Sequence, residues 1–281
     1  MADARTFPGL DVVGAYAFDL LLAALDDYGP TAVDDSGATV RAFFRTADAR
    51  DAAVTGLRGD LPALTITPVD VPDEHWAERS QAALTPVTVG ALTIAPPWAH
   101  RPADRDTIVI LPSMGFGTGH HASTRMCLAL LQAVPPGGLR VCDVGTGSGV
   151  LALAAAHLGA TEVVALDHDP DALEAARESA ALNPAIPSPI FRKADLEQPD
   201  TVAGAPFDLV VANLTGGLLQ RLCPRLVGLA PGGRLILSGI TSDEGPAVEA
   251  AFAAAGCTLE ERLSEGEWLG QAWSVPAPDA P

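Results

Sequence analysis

From Thr6 to about Val69, short apolar runs alternate with stretches whose apolar positions recur at helical spacing. Leu10–Val13, Thr31–Val33, Thr39–Phe44 and Leu64–Val69 read as strands. Phe18, Leu21, Leu22 and Leu25 share one face of a helix over Ala15–Tyr28, which Gly29-Pro30 ends. Asp34-Asp35-Ser36-Gly37 supplies a turn, and a second helix is expected over Ala47–Leu57. The order β-α-β-β-α-β predicts a small ferredoxin-like α+β domain. No catalytic constellation is visible in it, which suits recognition or scaffolding.

A connecting helix is expected over Pro72–Leu84, with Trp76 on its apolar face. Pro86, Pro96, Pro97 and Pro102 then punctuate short strands ending in Thr107–Leu111. After Ser123 the pattern becomes a regular β/α alternation to Ala255, with strands at Arg140–Asp143, Glu162–Asp167, Phe207–Ala212 and Arg234–Ser238. That alternation predicts a mostly parallel sheet with helices on both faces. Thr258–Leu263 and Trp268–Val275, joined by Glu265-Gly266, read instead as a closing antiparallel hairpin. The expected division is residues 1–70, a linker helix with short strands at 71–105, an α/β domain at 106–275, and a disordered tail at 276–281.

A chain of 281 residues, 48% of them hydrophobic, has enough core for two modest domains. Its start, Met1-Ala2-Asp3-Ala4, is acidic where a signal peptide is basic, and Asp19 interrupts the apolar stretch Ala17–Leu25. A cytoplasmic protein that does not span a membrane is expected. Cys127, Cys142, Cys223 and Cys257 lie too far apart for a C-x-x-C pair, which argues against zinc and a disulfide framework. The net charge is −18 and Lys193 is the only lysine. Phosphate contacts need clustered Arg and Lys, so direct nucleic-acid binding is not expected, whereas a basic protein partner is. A GC-rich genome would produce the same shortage of lysine.

The chemistry lies in a few loops. Asp143-Val144-Gly145-Thr146-Gly147-Ser148-Gly149 follows a strand and opens a helix. A dinucleotide enzyme would carry G-x-G-x-x-G there, with pyrophosphate on the helix N-terminus. Here the spacing is G-x-G-x-G, and Asp143 precedes it, where a carboxylate repels phosphate and suits an ammonium. S-adenosyl-L-methionine carries an ammonium, a sulfonium and no phosphate; an ordinary tight turn is the alternative. About 20 residues past the glycines, Asp167 ends the next strand, placed for a ribose diol. Asp169 reads as the cap of a helix beginning at Pro170, and Asp195 as a candidate for an adenine edge or a plain loop acid. A second glycine loop, Met114 to Thr124, precedes another helix, with Thr124 at its start as a cap or an outward-reaching hydroxyl. Asn213 sits at a strand's carboxyl end, where ligands of open α/β sheets bind.

The order of F-G-T-G-H-H-A-S-T, D-V-G-T-G-S-G-V-L, L-D-H-D-P, A-N-L-T and L-S-G-I resembles the PrmA family. The resemblance implies a Rossmann-like class I methyltransferase fold behind a ferredoxin-like substrate domain. It also implies methylation of ribosomal protein L11 on α-amino and lysine ε-amino groups, with S-adenosylmethionine as donor. By motif position it implies cofactor contacts at Thr124, Gly145, Asp167 and Asn213, with Thr146, Gly147, Gly149 and His168 beside them. Phe116, Gly117, Thr118 and Gly119 correspond to a cofactor-covering loop. Departures from the family pattern at Ser80, Leu84, Gly115, Ser123 and Thr215 fall on the substrate side.

A methyl acceptor must be neutral and aligned. Asn213 and nearby carbonyls are expected to orient the amine, with His121 the rival candidate as base and otherwise a support for the glycine loop. The expected assembly is a monomer. The competing readings are a similar-fold methyltransferase for another protein lysine or a small amine, a nicotinamide-dependent oxidoreductase, and a non-catalytic cofactor-binding module.

Overall fold

The computed structural model describes residues 6–14, 21, 24–25, 28–35, 39–72, 85–99, 106–111, 120–198 and 204–277. The chain divides into two compact units, Met1–Ser80 and Gln81–Pro281.

In the first unit, β1 (Thr6–Val13), β2 (Ala32–Asp35), β3 (Val40–Phe43) and β4 (Thr65–Pro72) form an antiparallel sheet in the order β2-β3-β1-β4. Helix α1 (Ala47–Asp60) connects β3 to β4, and the Thr46 hydroxyl caps it by accepting from the Ala49 N–H at 3.2 Å. Period-two alternation sends Leu10, Val12, Val40, Ala42 and Ile66 into one core with Val54 and Leu57 of α1. This strand order is that of the ferredoxin-like pattern. Most of the helix expected over Ala15–Tyr28 lies outside the described residues, although Leu21 and Leu25 are fully buried in the same core. The helix expected over Pro72–Leu84 also lies outside them, apart from Pro72 at the end of β4.

The second unit opens with a small sheet of β5 (Val87–Val89), β6 (Leu92–Ala95) and β7 (Thr107–Val109). Strands expected in a linker thus pack within this unit: Gln132 of α2 (Ala122–Ala133) donates to the Val89 carbonyl and accepts from the Ala91 N–H. The main sheet then alternates β8 (Arg140–Val144), α3 (Val150–His157), β9 (Glu162–Asp167), α4 (Pro170–Ala181) and β10 (Ile190–Lys193). It continues with β11 (Leu209–Asn213), α5 (Gly216–Leu229), β12 (Arg234–Thr241), α6 (Gly245–Ala254), β13 (Thr258–Glu265) and β14 (Trp268–Ser274). The spatial order is β10-β9-β8-β11-β12-β14-β13, parallel except for the C-terminal hairpin.

Successive residues of the central strands face opposite cores, which is why these strands read as unbroken apolar runs. Val141, Val163, Ala165 and Val211 pack under α2 and α3, whereas Cys142, Val164, Leu166 and Val210 pack under α5 and α6. The strand order reverses between β9-β8 and β11, which opens a crevice at their carboxyl ends. All four cysteines are free and buried, and burial pushes the Cys127 and Cys142 thiols up. No group of side chains among the described residues is placed to hold a metal. No helix among them is long and apolar enough to cross a membrane.

Candidate active site

A cleft of about 640 Å³ lies at the carboxyl ends of β8, β9 and β11 and is bounded by the hairpin residue Trp268. Its size suits a small-molecule ligand. Its floor is the turn after β8. Gly145 holds φ at 73°, a left-handed conformation that favours glycine, and a Cβ there would stand 2.6 Å from the Leu214 side chain, which would have to shift. The Gly145 and Thr146 N–H groups donate to the Leu166 carbonyl, each at 2.9 Å, and fasten the turn to β9. Gly149 forms the N-cap of α3.

Asp143 is buried beneath this turn and does not line the cleft. One carboxylate oxygen accepts from the Thr146 hydroxyl at 2.6 Å and the Ala152 N–H at 3.1 Å. The other has no hydrogen-bond partner among the described residues. Desolvation pushes its carboxyl up to about 7, against the two hydrogen bonds that stabilise the anion, and Asp167 adds a smaller push in the same direction.

Asp167, at the end of β9, is 8% exposed and does line the cleft. It accepts from the Gly147 N–H and the Asp169 N–H, each at 3.0 Å, while His168 beside it stands exposed. Asp169 caps α4 through the Asp171 N–H at 2.9 Å, as its position before Pro170 indicates. Next to Asp167 a narrow slot of about 150 Å³ runs between Ala194, Asp195, Leu196, Leu218 and Leu222. Asp195 accepts from the Glu197 N–H at 2.9 Å, which fixes the rim of that slot.

On the opposite wall, Asn213 at the end of β11 donates its amide to the Thr124 hydroxyl at 3.3 Å. Thr124 is buried in the first turn of α2 but is not its cap. That role falls to His121, whose Nδ1 accepts from the Ser123 N–H at 3.3 Å and lies 2.7 Å from the Ser123 hydroxyl. The His121 ring meets Trp268 edge-on at 4.5 Å, and Arg125 pairs through two contacts with Glu265 at the end of β13. The start of α2 is thereby tied to the C-terminal hairpin.

The structure therefore brings together Gly145, Gly147, Asp167, His168, Asn213 and His121 around one cleft. Phe116, Gly117, Thr118 and Gly119, expected to cover it, lie outside the described residues. Leu214, Leu218, Gly239 and Trp268 also line the walls, and the sequence patterns did not single them out for a ligand. Leucine and glycine carry no chemical signature, and Trp268 reads only as the start of a strand.

The arrangement fits S-adenosylmethionine on its own terms. An acid at the end of β9 and a mostly apolar slot beside it match a ligand with a diol and a flat base. Neither feature favours a pyrophosphate.

The family model described as "Ribosomal protein L11 methyltransferase (PrmA)" matches residues 23–272. A protein of that name from Deinococcus radiodurans is 35% identical over 92% of this chain and 94% of its own length. Another, from Geotalea uraniireducens, is 38% identical over 87% of this chain and 85% of its own. Among solved structures, a ribosomal protein L11 methylase from Lactobacillus delbrueckii subsp. bulgaricus superposes with a TM-score of 0.62 at 33% identity. It covers 69% of this chain and 100% of its own.

Proposed function

The chain belongs to the ribosomal protein L11 methyltransferase (PrmA) family, and from that premise we propose that it methylates amino groups of ribosomal protein L11, with S-adenosylmethionine as donor. The observation that carries this reading is Asn213, held by Thr124 at the mouth of a cleft whose other wall is the glycine turn and Asp167.

When bound, S-adenosylmethionine supplies an electrophilic methyl group. The work of the chain is to bind and align. Asp167 takes hydroxyl donors while anchoring the glycine turn through Gly147, and the slot beside Asp195 takes a flat base. Because the Asn213 amide group donates to Thr124, its carbonyl oxygen is left to accept from an amine. The Leu214 carbonyl stands beside it, on the same turn.

Lysine presents the harder case, since its amine is protonated near pH 10.4 whereas an α-amino group loses its proton near 8. Trp268, Leu214 and Leu218 give the cleft apolar walls that disfavour an ammonium and lower its pKa. No strong base is required. The Nδ1 of His121 is occupied with Ser123 and its ring rests on Trp268, which supports a structural role over a catalytic one.

The net charge of −18 supports a basic protein partner rather than nucleic acid. A ribosomal substrate supports action in the cytoplasm. The N-terminal ferredoxin-like unit, which shows no catalytic constellation among its described residues, is assigned to substrate recognition.

Release of S-adenosylhomocysteine in the presence of L11 tests the reading. Wild-type protein is expected to release it and Asn213→Ala to lose most turnover. Tight cofactor binding without release on L11 would move the substrate to another amine. Preference for NADH over S-adenosylmethionine would overturn the reading altogether.

A further inference from the structure

Helix α5 begins directly after Asn213-Leu214-Thr215, yet the N-cap residue Thr215 makes no side-chain hydrogen bond to it. The first N–H groups of a helix have no partner within it and need an acceptor from elsewhere. Glu244, from another element, lies against that helix start. It stands just before α6, in the N-cap position of that helix, but makes no side-chain cap there. Its carboxylate instead takes the Thr241 N–H and the Thr241 hydroxyl, each at 3.0 Å, and lies against Gly216 at the start of α5. These donors hold the Glu244 carboxyl below the usual carboxylate range.

The contact is close. A Cβ on Gly216 would lie 2.7 Å from the Glu244 carboxyl carbon, so the carboxylate rests directly on the start of α5. On the other side of the same turn, Gly239 interrupts β12 with φ at 83° where the register shifts between Ser238 and Ile240. A Cβ there would meet the Leu214 carbonyl oxygen at 2.5 Å and Asn213 Oδ1 at 3.0 Å. The Leu214 N–H donates to the Ser238 carbonyl at 3.0 Å. The turn carrying Asn213 and the Leu214 carbonyl is thus gripped from two sides.

We propose that Glu244 is a positioning residue: anchored by Thr241 and packed on Gly216, it sets the Asn213–Leu214–Thr215 turn at the geometry that orients the substrate amine. The assignment rests on the role given above to Asn213. Glu244 is not among the residues lining the cleft, so its effect is transmitted through the turn. A misplacement of about an ångström at a reacting group can cost on the order of a hundredfold in rate.

The test compares Glu244→Ala, Glu244→Gln and Asn213→Ala in the full-length chain, with S-adenosylmethionine and L11. Glu244→Ala is expected to lower kcat by roughly tenfold to a hundredfold, with the cofactor KM nearly unchanged. Amide hydrogen exchange at residues 214–217 is expected to accelerate. Glu244→Gln keeps one acceptor oxygen and is expected to recover part of both losses; it also serves if the alanine variant does not fold. In the double variant with Asn213→Ala the losses in kcat are expected not to add, because both act on one turn.

Unchanged exchange at residues 214–217, or a lower Tm with wild-type kcat, would overturn the assignment, as would additive losses. Should wild-type protein fail to turn over L11, the substrate reading falls, and exchange at residues 214–217 still decides whether Glu244 holds the turn.

Discussion

Asp143 makes the sharpest prediction about stability. It is 1% exposed, and its carboxyl is pushed from the ordinary 3.8 up to about 7, chiefly because water is excluded from it. Below the unfolded value both states hold the proton and the group contributes no pH dependence. As pH rises from about 4 to about 7 the unfolded chain releases its proton while the folded chain keeps it, so stability falls; beyond that the penalty stays. Roughly three pK units correspond to about 4 kcal/mol. Asp143→Asn is nearly isosteric and keeps a carbonyl oxygen to accept from Thr146 and Ala152, but it cannot ionise.

Glu244 and Glu265, whose carboxyls are lowered, contribute stability that is present above their unfolded values and lost as pH falls. They are common to both proteins and cancel in the comparison. Urea unfolding of the ligand-free proteins at a series of pH values therefore isolates Asp143. Between about pH 4 and pH 8 the balance is expected to move toward Asp143→Asn by up to about 4 kcal/mol, on the order of 10 °C in Tm. Parallel pH dependences for the two proteins would refute the argument that this carboxyl titrates in isolation from water.

Other substitutions probe the cleft. Asp167→Ala removes the acceptor for the Gly147 and Asp169 N–H groups, and calorimetry is expected to show S-adenosylmethionine affinity weakened by roughly tenfold to a hundredfold. Gly145→Ala places a Cβ 2.6 Å from Leu214 at a positive φ, and is expected to cost about 1–3 kcal/mol in thermal unfolding as well as cofactor affinity. His121→Ala loses the α2 cap and the Trp268 contact, at about 1 kcal/mol of stability. Its kcat against pH is expected to keep the wild-type shape, and loss of an ionisation near neutral pH would restore His121 as a base.

The α/β unit was legible because its signals are local. Glu162–Asp167 was bounded to the residue, since an unbroken apolar run ending in an acid has one reading in a β/α alternation. The hairpin of β13 and β14 followed from Glu265-Gly266 between two runs. Asp169 before Pro170 announced its helix. What stayed hidden depends on tertiary approach. His121 precedes Trp268 by most of the domain, and neither period nor propensity records that their rings meet. For Thr124 a cap and an outward-reaching hydroxyl were equally legible, and only the structure separates them: the imidazole three residues earlier caps α2 and the hydroxyl meets Asn213. Glu244 carries no signal of its own in the sequence, because its carboxylate lies against a different helix.

Intact-mass analysis of ribosomal protein L11, incubated with S-adenosylmethionine and this chain, tests the central claim most directly, with Asp167→Ala run beside it. The account predicts mass increments of one methyl group each on L11, strongly reduced with the variant. An unchanged L11 mass, with calorimetry showing the cofactor bound, would contradict the substrate assignment.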